Sequence, residues 1–253
     1  MKKLILKIRN KIFGINKIES LINQNISDLS DALVAQADNL TALRDQLDGV
    51  CRDYLPAKIN ESFDVRFLAQ MEAGMSSARL FNAHLYDKQV FESDLDLLCE
   101  FVADVRSNDL VLEFGVFSGR TINALADKLP NHRLYGFDSF EGLPETWRND
   151  FTKGTFKVDV LPQVRANVSL VKGWFDGTLP KFLIDNVGSV GLLHVDCDLY
   201  SSTKTVLNLL KDRFRNGSVI VFDEYFNYPG WEQHEYKAFA EFVEESGYKY
   251  EYL

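Results

Sequence analysis

Four carboxylates lie at the ends of two apolar runs in the second half of the chain. Asp196 and Asp198 follow one run, and Asp223 and Glu224 follow the next. If the runs are neighbouring parallel strands, their carboxyl ends meet at one edge of a sheet and the four acids converge. Carboxylates so placed repel one another, and a bound hard cation is the usual remedy. The pattern predicts a Mg²⁺ site formed by Asp196, Asp223 and Glu224, the alternative for each acid being a helix cap or surface group.

A cation at this edge would have a catalytic use. It lowers the pKa of a bound hydroxyl group and orients that group for attack on an electrophile. Asp198, two residues beyond a predicted ligand, is then a candidate general base. His194 is the alternative base, although a histidine within an apolar strand is more typical of a buried structural residue.

A glycine loop follows the first apolar run in the centre of the chain. Glu113, Gly115 and Gly119 form the pattern Glu-x-Gly-x-x-x-Gly, where a strand turns into a helix. Such loops seat nucleoside cofactors in α/β folds, because glycine permits the turn and a close approach of the ligand. Phe117 stands where dinucleotide-binding loops carry glycine, so we do not expect a pyrophosphate there. The loop predicts nucleoside binding through Glu113, Gly115, Val116 and Gly119, with an ordinary strand-to-helix turn as the alternative.

The surrounding segments alternate between apolar runs and amphipathic helices. The run 133–138 ends in Asp138, where such folds bind ribose hydroxyls, although a cap of the following turn is the alternative. Other strands are predicted at 110–113, 168–173, 190–196, 217–223 and 248–252, with helices at 121–129, 203–214 and 232–246. Continuous apolar strands separated by helices are typical of a parallel sheet covered on both faces. We therefore predict a Rossmann-like α/β fold.

The first fifty residues predict a different structure. Apolar residues recur there in a 3-4 alternation over six heptads, which is typical of a coiled coil. The alternation runs through Ile5, Ile8, Ile12, Ile15, Glu19, Ile22, Ile26, Leu29, Leu33, Gln36, Leu40, Leu43 and Leu47, with Glu19 and Gln36 as the polar exceptions. A lone helix of this kind would expose its apolar seam, so we expect a homo-oligomer or a partner helix.

Charge is unevenly distributed along this N-terminal arm. Residues 1–17 contain six basic residues and no acidic one. This basic tip predicts contact with an anionic membrane surface, with a solvated end of the coiled coil as the alternative. The predicted organisation is a coiled-coil arm at 1–50, a helical lid or linker at 51–105 and a nucleoside-binding core at 106–253.

Composition excludes several other classes of protein. The net charge of the 253-residue chain is −9, and the acids are concentrated beyond the arm, which argues against nucleic-acid binding. The three cysteines are widely spaced, so neither a disulfide framework nor a zinc site is expected. The N-terminal apolar runs are short and interrupted by lysines, which predicts neither a secretory signal nor a transmembrane span. We expect a cytoplasmic protein, with peripheral binding at the inner face of a membrane as an option for the basic tip.

Five segments form a specific combination: Glu113-Phe-Gly-Val-Phe-Ser-Gly119, Phe137-Asp-Ser-Phe-Glu-Gly-Leu-Pro144, Lys172-Gly-Trp-Phe-Asp-Gly-Thr-Leu-Pro180, Val195-Asp-Cys-Asp-Leu-Tyr200 and Phe222-Asp-Glu-Tyr225. Together they resemble the macrocin O-methyltransferase family of class I S-adenosylmethionine-dependent enzymes, over roughly residues 60–253. The resemblance implies Mg²⁺-dependent methylation of a sugar hydroxyl in glycosylated natural products or surface polysaccharides. By the matching positions it implies donor binding by Glu113, Gly115, Asp138 and Ser139, adenine contacts from Gly173, Trp174 and Asp176, metal binding by Asp196, Asp223 and Glu224, and Asp198 at the acceptor hydroxyl.

The chain departs from the family pattern in its metal motif, and its acceptor is not identified by any segment. The family often has adjacent aspartates where this chain has Asp223 and Glu224, and the longer glutamate would alter the coordination. Aromatic stretches at 147–156 and 225–231 could stack on a sugar or fill the cores of their loops. A phenol or catechol O-methyltransferase and a non-catalytic coiled-coil scaffold with a nucleoside-binding domain are the alternative functions.

Overall fold

The computed structural model of the chain describes residues 20–46, 64–148 and 150–253. Two compact units can be distinguished, one at 1–68 and one at 69–253. The parallel sheet and the acidic strand ends belong to the second unit. The basic tip at 1–17 and most of the segment joining the arm to the second unit lie outside the described residues.

The second unit is built on a five-stranded sheet. Its strands are β1 (Leu110–Phe114), β2 (Leu134–Asp138), β3 (Val168–Lys172), β4 (Val190–Val195) and β5 (Phe214–Phe222). They pair in parallel in the order β3-β2-β1-β4-β5. β1 and β4 are buried at every position, which accounts for their uninterrupted apolar sequences. The predicted Rossmann-like fold is confirmed.

Helices cover both faces of this sheet. They are α3 (Asp94–Glu100), α4 (Arg120–Lys128), α5 (Phe175–Asp185), α6 (Tyr200–Leu210) and α7 (Glu235–Ser246). A further helix, α2 (Val65–His84), packs in a separate cluster with loop residues such as Trp147 and Tyr228. Alternate residues of a strand point to opposite faces, and the core divides accordingly. Leu112 and Leu193 belong to the apolar cluster shared with α5, α6 and α7, whereas Val111 belongs to the cluster shared with α3 and α4.

The order of the strands fixes the place where a ligand can bind. β1 lies between β2 and β4, so the chain crosses from one half of the sheet to the other next to β1. In open parallel sheets the crevice at such a switch point, outside the carboxyl ends of the strands, is the usual binding site. The predicted acidic residues and the glycine loop all follow the carboxyl ends of strands at this crevice.

The sequence prediction of a sixth strand at 248–252 is wrong, because the structure has no strand there. The tail instead packs through its aromatic side chains, with the Tyr250 ring centroid 4.9 Å from that of Phe239. The hydroxyl groups of Tyr225 and Tyr252 are 3.0 Å apart. β5 also begins three residues before the predicted start at Gly217, because a register irregularity between β4 and β5 interrupts its apolar pattern. No helix in the described part of the chain is long and apolar enough to cross a membrane.

The described part of the N-terminal arm is a single helix, which we call α1, at residues 20–46. Its heptad positions carry exposed apolar side chains, among them Ile26 (61% exposed) and Leu29 (64% exposed). The predicted helix is confirmed over residues 20–46. The coiled coil itself stays a prediction, and the heptads before residue 20 lie outside the described residues.

Candidate active site

The carboxyl ends of the strands open into a cleft of about 560 Å³. This volume lies within the range of about 300–1,000 Å³ that is usual for sites of small molecules and cofactors. The cleft is lined by nine of the residues predicted to form the site: Gly115, Asp138, Ser139, Trp174, Asp176, Asp196, Asp198, Asp223 and Glu224. The predicted convergence of the strand-end acids is therefore seen in the structure.

The glycine loop after β1 lies directly against the end of β4. Gly115 has φ +93°, and a Cβ atom there would be 1.6 Å from the backbone oxygen of Asp196. Only glycine fits this close approach and this backbone conformation. Gly119 has φ +78° and caps the amino end of α4. The loop thus brings the backbone of β1 next to the predicted metal ligands.

Asp138 fixes this loop through its carboxylate. The backbone N–H groups of Val116 and Phe117 both donate to Oδ2 of Asp138 at 2.9 Å. The N–H of Phe140 donates to Oδ1 at 2.6 Å. Because two carboxylate oxygens offer about four acceptor positions, one remains for a ligand in the cleft. Asp138 therefore joins the loops after β1 and β2 and can still accept a hydrogen bond from a ribose hydroxyl.

Glu113, predicted to bind the donor, is placed differently. It is 1% exposed and does not line the cleft. Its Oε1 accepts a hydrogen bond from Thr121 at 3.0 Å, and its Oε2 lies 2.9 Å from Nδ1 of His194. The register of β1 and β4 explains this contact, since Glu113 and His194 are direct partners. Glu113 therefore supports the sheet beneath the cleft.

Three other predicted residues also contribute from outside the cleft lining. The side chain of Val116 is buried in the core, so only its backbone N–H acts at the site, through Asp138. Gly173 has φ +137° and forms the turn from β3 to α5, which places Trp174 at the cleft. Gly119 acts as a cap of α4. These residues shape the loops and do not face the cavity.

A possible metal centre lies at the ends of β4 and β5. One ligand atom from each of His194, Asp196 and Asp223 lies within 4.8 Å of the others. Burial and the neighbouring charge of Asp223 raise the pKa of Asp196 to about 8. Burial lowers the pKa of His194, but the hydrogen bond and charge of Glu113 outweigh it and the net shift is upward. Both upward pKa shifts indicate that this part of the site favours positive charge. The three side chains therefore fit a divalent cation.

Glu224, predicted as a metal ligand, does not belong to this group. Its Oε1 lies 3.6 Å from the guanidinium of Arg148. Burial, followed by the interaction with Asp198, raises the pKa of Glu224 to about 9. Its Oε2 is buried without a hydrogen-bond partner among the described residues. The role of Glu224 as a metal ligand stays a prediction.

Asp198 itself lines the cleft with an unusual backbone conformation. Its φ is +61°, in the left-handed region that aspartate and asparagine tolerate better than most residues. Burial raises its pKa despite the opposing hydrogen bond from Glu224. The turn points Asp198 into the cavity beside the metal group, where a general base is required.

Comparisons with known proteins agree with this geometry. Residues 112–225 match a family described as a methyltransferase domain. The match covers slightly less than half of the chain. It supports S-adenosylmethionine as the cofactor, because the cleft and glycine loop of the fold lie within the matched residues. The match agrees with the enzyme class that the sequence motifs predict.

One relative of the chain is named as the O-methyltransferase of a rhamnosyl compound. The chain is 32% identical to the 8-demethyl-8-(2,3-dimethoxy-alpha-L-rhamnosyl)-tetracenomycin-C 4'-O-methyltransferase of Streptomyces olivaceus, over 49% of this chain and 55% of that protein. The chain thus spans about half the length of this curated relative. The resemblance to sugar O-methyltransferases that the sequence predicts is confirmed by this relative.

Two solved structures are also similar to the chain. The calicheamicin methyltransferase CalS11 is 28% identical, with a TM-score of 0.49, over 58% of this chain and 68% of that one. The O-methyltransferase NovP is 22% identical, with a TM-score of 0.47, over 60% of this chain and 71% of that one.

The aromatic stretches beside the cleft have separate roles. Trp147, Tyr228 and Trp231 are buried together in a cluster that fills the loop core. Phe156 instead lines the cleft, with its ring centroid 5.6 Å from that of Phe117 in an edge-to-face arrangement. Of the two alternatives left open by the sequence, loop packing holds for the first three residues and an exposed face for Phe156.

Sequence reasoning missed several residues of the cleft. Ser201, Ser202 and Thr205 line it from the first turns of α6, immediately after Asp198. Their position after a strand end was the available signal, but serine and threonine at a helix start are also ordinary caps. Arg148 was missed because its contact with Glu224 joins loops that are remote in sequence.

The described helices before β1 pack away from the cleft, since the described residues that line it lie between 115 and 224. α2 contacts the loop after β5: Ser77 Oγ accepts from the N–H of Asn227 at 2.8 Å, and Trp231 Nε1 donates to Ser76 Oγ at 2.9 Å. These contacts make α2 a support for the loops that surround the acidic strand ends. The lid or linker role of residues 51–105 stays a prediction.

Proposed function

We propose that the chain is an S-adenosylmethionine-dependent and divalent-cation-dependent O-methyltransferase that acts on a sugar hydroxyl. The observation that carries the proposal is the meeting of Asp196, Asp198 and Asp223 in one cleft with the Gly115 loop. A nucleoside site, a cation site and a base within one cavity are the parts that methyl transfer to a hydroxyl requires.

The proposed donor site lies on the side of the cleft formed by β1, β2 and β3. Asp138 offers its remaining acceptor position to the ribose hydroxyls. Trp174 is 42% exposed at the start of α5 and offers a flat apolar face for the adenine. Glu113 holds the strands together behind this site. S-adenosylmethionine, when bound, supplies the electrophilic methyl group.

The proposed acceptor site lies on the side formed by β4 and β5. Asp196 and Asp223 would hold a cation, Mg²⁺ by the family resemblance, which when bound lowers the pKa of a neighbouring hydroxyl. Asp198 receives the proton of that hydroxyl on its carboxylate, with the carboxyl group of Glu224 beside it in the lining of the cleft.

A sugar acceptor is supported by the curated relative, whose name specifies the 4'-O position of a rhamnosyl compound. The exposed face of Phe156 beside Phe117 is suited to the apolar face of a pyranose ring. The acceptor is therefore proposed to be the sugar of a glycosylated natural product or of a polysaccharide. A planar phenol is the alternative outcome of a substrate panel.

Calorimetric titration of S-adenosylmethionine and its demethylated product tests the proposed activity. We expect micromolar binding of both compounds, and methyl transfer to a rhamnosylated acceptor with Mg²⁺ or Mn²⁺ but not with a chelator. A matched panel of catechols should show lower turnover. A folded protein that binds neither compound would contradict the proposed enzymatic activity and favour the non-catalytic coiled-coil scaffold.

We further propose that α1 forms a coiled coil between copies of the chain. The apolar heptad positions from Ile22 to Leu43 are exposed in the single chain, along a helix about 40 Å long at 1.5 Å per residue. Burial of such a seam against a second copy is the usual way to remove it from water. Contact of the basic tip with a membrane or a glycan-assembly partner stays a prediction.

Charged substitutions in the apolar seam of α1 should dissociate the oligomer. The double variant Ile26→Asp with Leu33→Asp is expected to lower the mass measured by light scattering to that of the monomer, because it buries two carboxylates in the seam. The control Ser27→Asp with Ala35→Asp adds the same charge outside the seam and should keep the oligomer. Equal masses for both double variants would contradict the coiled coil.

A further inference from the structure

His194 and Glu113 form a buried pair beneath the cleft, and the proposed reaction does not itself use it. His194 is 2% exposed and Glu113 is 1% exposed, and they are joined at 2.9 Å through Nδ1 and Oε2. The second oxygen of Glu113 accepts from Thr121. Both oxygens of this carboxylate are thus engaged, and the imidazole ring is held in one orientation.

This hydrogen bond determines which ring nitrogen can bind a ligand. Nδ1 of His194 is engaged with Oε2 of Glu113, which leaves Nε2 as the ring nitrogen available for a ligand. Nε2 makes no hydrogen bond to the described residues, and it is not among the fully enclosed side-chain atoms without a partner. It is therefore open to a ligand that enters from the strand ends.

A ring nitrogen of His194 lies within 4.8 Å of carboxylate oxygens of Asp196 and Asp223. A ligating histidine whose other nitrogen donates to a carboxylate is the usual arrangement in metal centres, since the carboxylate fixes the ring and increases its basicity. Glu113, His194 and the two aspartates have this relation.

We propose that Nε2 of His194 is the third protein ligand of the cation, positioned by Glu113, and that the centre prefers Mn²⁺ or another first-row transition ion to Mg²⁺. This inference rests on the proposed function, since it concerns the same cation. Carboxylates suit both kinds of ion, whereas imidazole nitrogen suits the transition metals and is a poor ligand for Mg²⁺. The histidine therefore changes the selectivity of the centre.

Mn²⁺ binding to the full chain tests the proposal directly. Electron spin-echo spectra of bound Mn²⁺ should contain the coupling of a directly ligated imidazole ¹⁴N in the wild type and lack it in His194→Gln. The glutamine can still donate to Glu113, which limits the disturbance of the core. Calorimetry should show Mn²⁺ binding weakened by about 10–100-fold in Glu113→Gln and by at least as much in His194→Gln, with Mg²⁺ affinity changed much less.

His132→Gln serves as the matched control, because His132 lies in the turn before β2 and outside the metal group. It should keep both the ¹⁴N coupling and the wild-type affinity for Mn²⁺. If the variants of buried residues fail to fold, the wild-type spectrum alone decides. Bound Mn²⁺ without nitrogen coupling, or no Mn²⁺ binding, would overturn the inference, whereas S-adenosylmethionine binding in the same sample would leave the proposed methyltransferase intact.

Discussion

Replacement of Asp198 by asparagine is expected to lower the rate of methyl transfer by about 10²–10⁴-fold, the usual contribution of a general base. The side chain lines the cleft beside the metal group and is the acid best placed to take a proton from an acceptor hydroxyl. An asparagine keeps the size and shape of the side chain but has no basic oxygen. The loss should therefore appear in kcat, with S-adenosylmethionine affinity unchanged.

The backbone conformation at position 198 tolerates this substitution, so its effect reports on the lost carboxylate. Asp198 has φ +61°, and asparagine tolerates the left-handed region as readily as aspartate does. We therefore expect little change in the free energy of unfolding, in contrast to Asp198→Ala, which would add backbone strain to the chemical change.

Asp212→Asn is the control for a lost charge, because Asp212 is exposed in the turn before β5. Turnover is measured with the acceptor that is most active in the sugar panel, together with denaturation and calorimetry. If Asp198→Asn is about as active as Asp212→Asn, the proposed role of Asp198 as the general base is contradicted. A fall in both activity and donor binding would instead assign it to the positioning of the cofactor.

Strand positions and strand-end acids could be predicted because they follow from local patterns. The runs of β1 and β4 are apolar throughout, which is typical of strands buried on both faces. Once these strands are parallel, the convergence of Asp138, Asp196 and Asp223 follows from the topology. The sequence therefore predicted where the candidate site lies and most of the residues that line it.

The pairing of individual side chains could not be predicted in the same way. The contact between Glu113 and His194 depends on the register of β1 and β4, which a one-residue shift would abolish. The 3.6 Å contact between Glu224 and Arg148 likewise joins two loops that are remote in sequence. The aromatic tail after residue 247 resembled a strand by composition, but its rings pack against α7 instead of forming a ladder. Each of these outcomes depends on tertiary contacts that no local pattern contains.

Gly115→Ala is expected to destabilise the fold and to abolish donor binding. The Cβ atom would meet the backbone oxygen of Asp196 at 1.6 Å, and no rotation of a side chain can relieve contact with a backbone atom. The left-handed backbone and the overpacking together should cost about 2–5 kcal/mol of unfolding free energy. The separation of β1 from β4 should also disturb the amides that Asp138 holds, and therefore the donor site.

Gly154→Ala separates the two causes of this effect. Gly154 has φ +86°, close to the value of Gly115, but a Cβ atom there would have no neighbour within 4 Å. Its alanine variant should therefore lose only about 1–2 kcal/mol from backbone strain and keep S-adenosylmethionine binding. Denaturant unfolding and donor calorimetry of both variants provide the comparison. Equal losses would mean that the approach of the Gly115 loop to the end of β4 is not what determines the stability of the site.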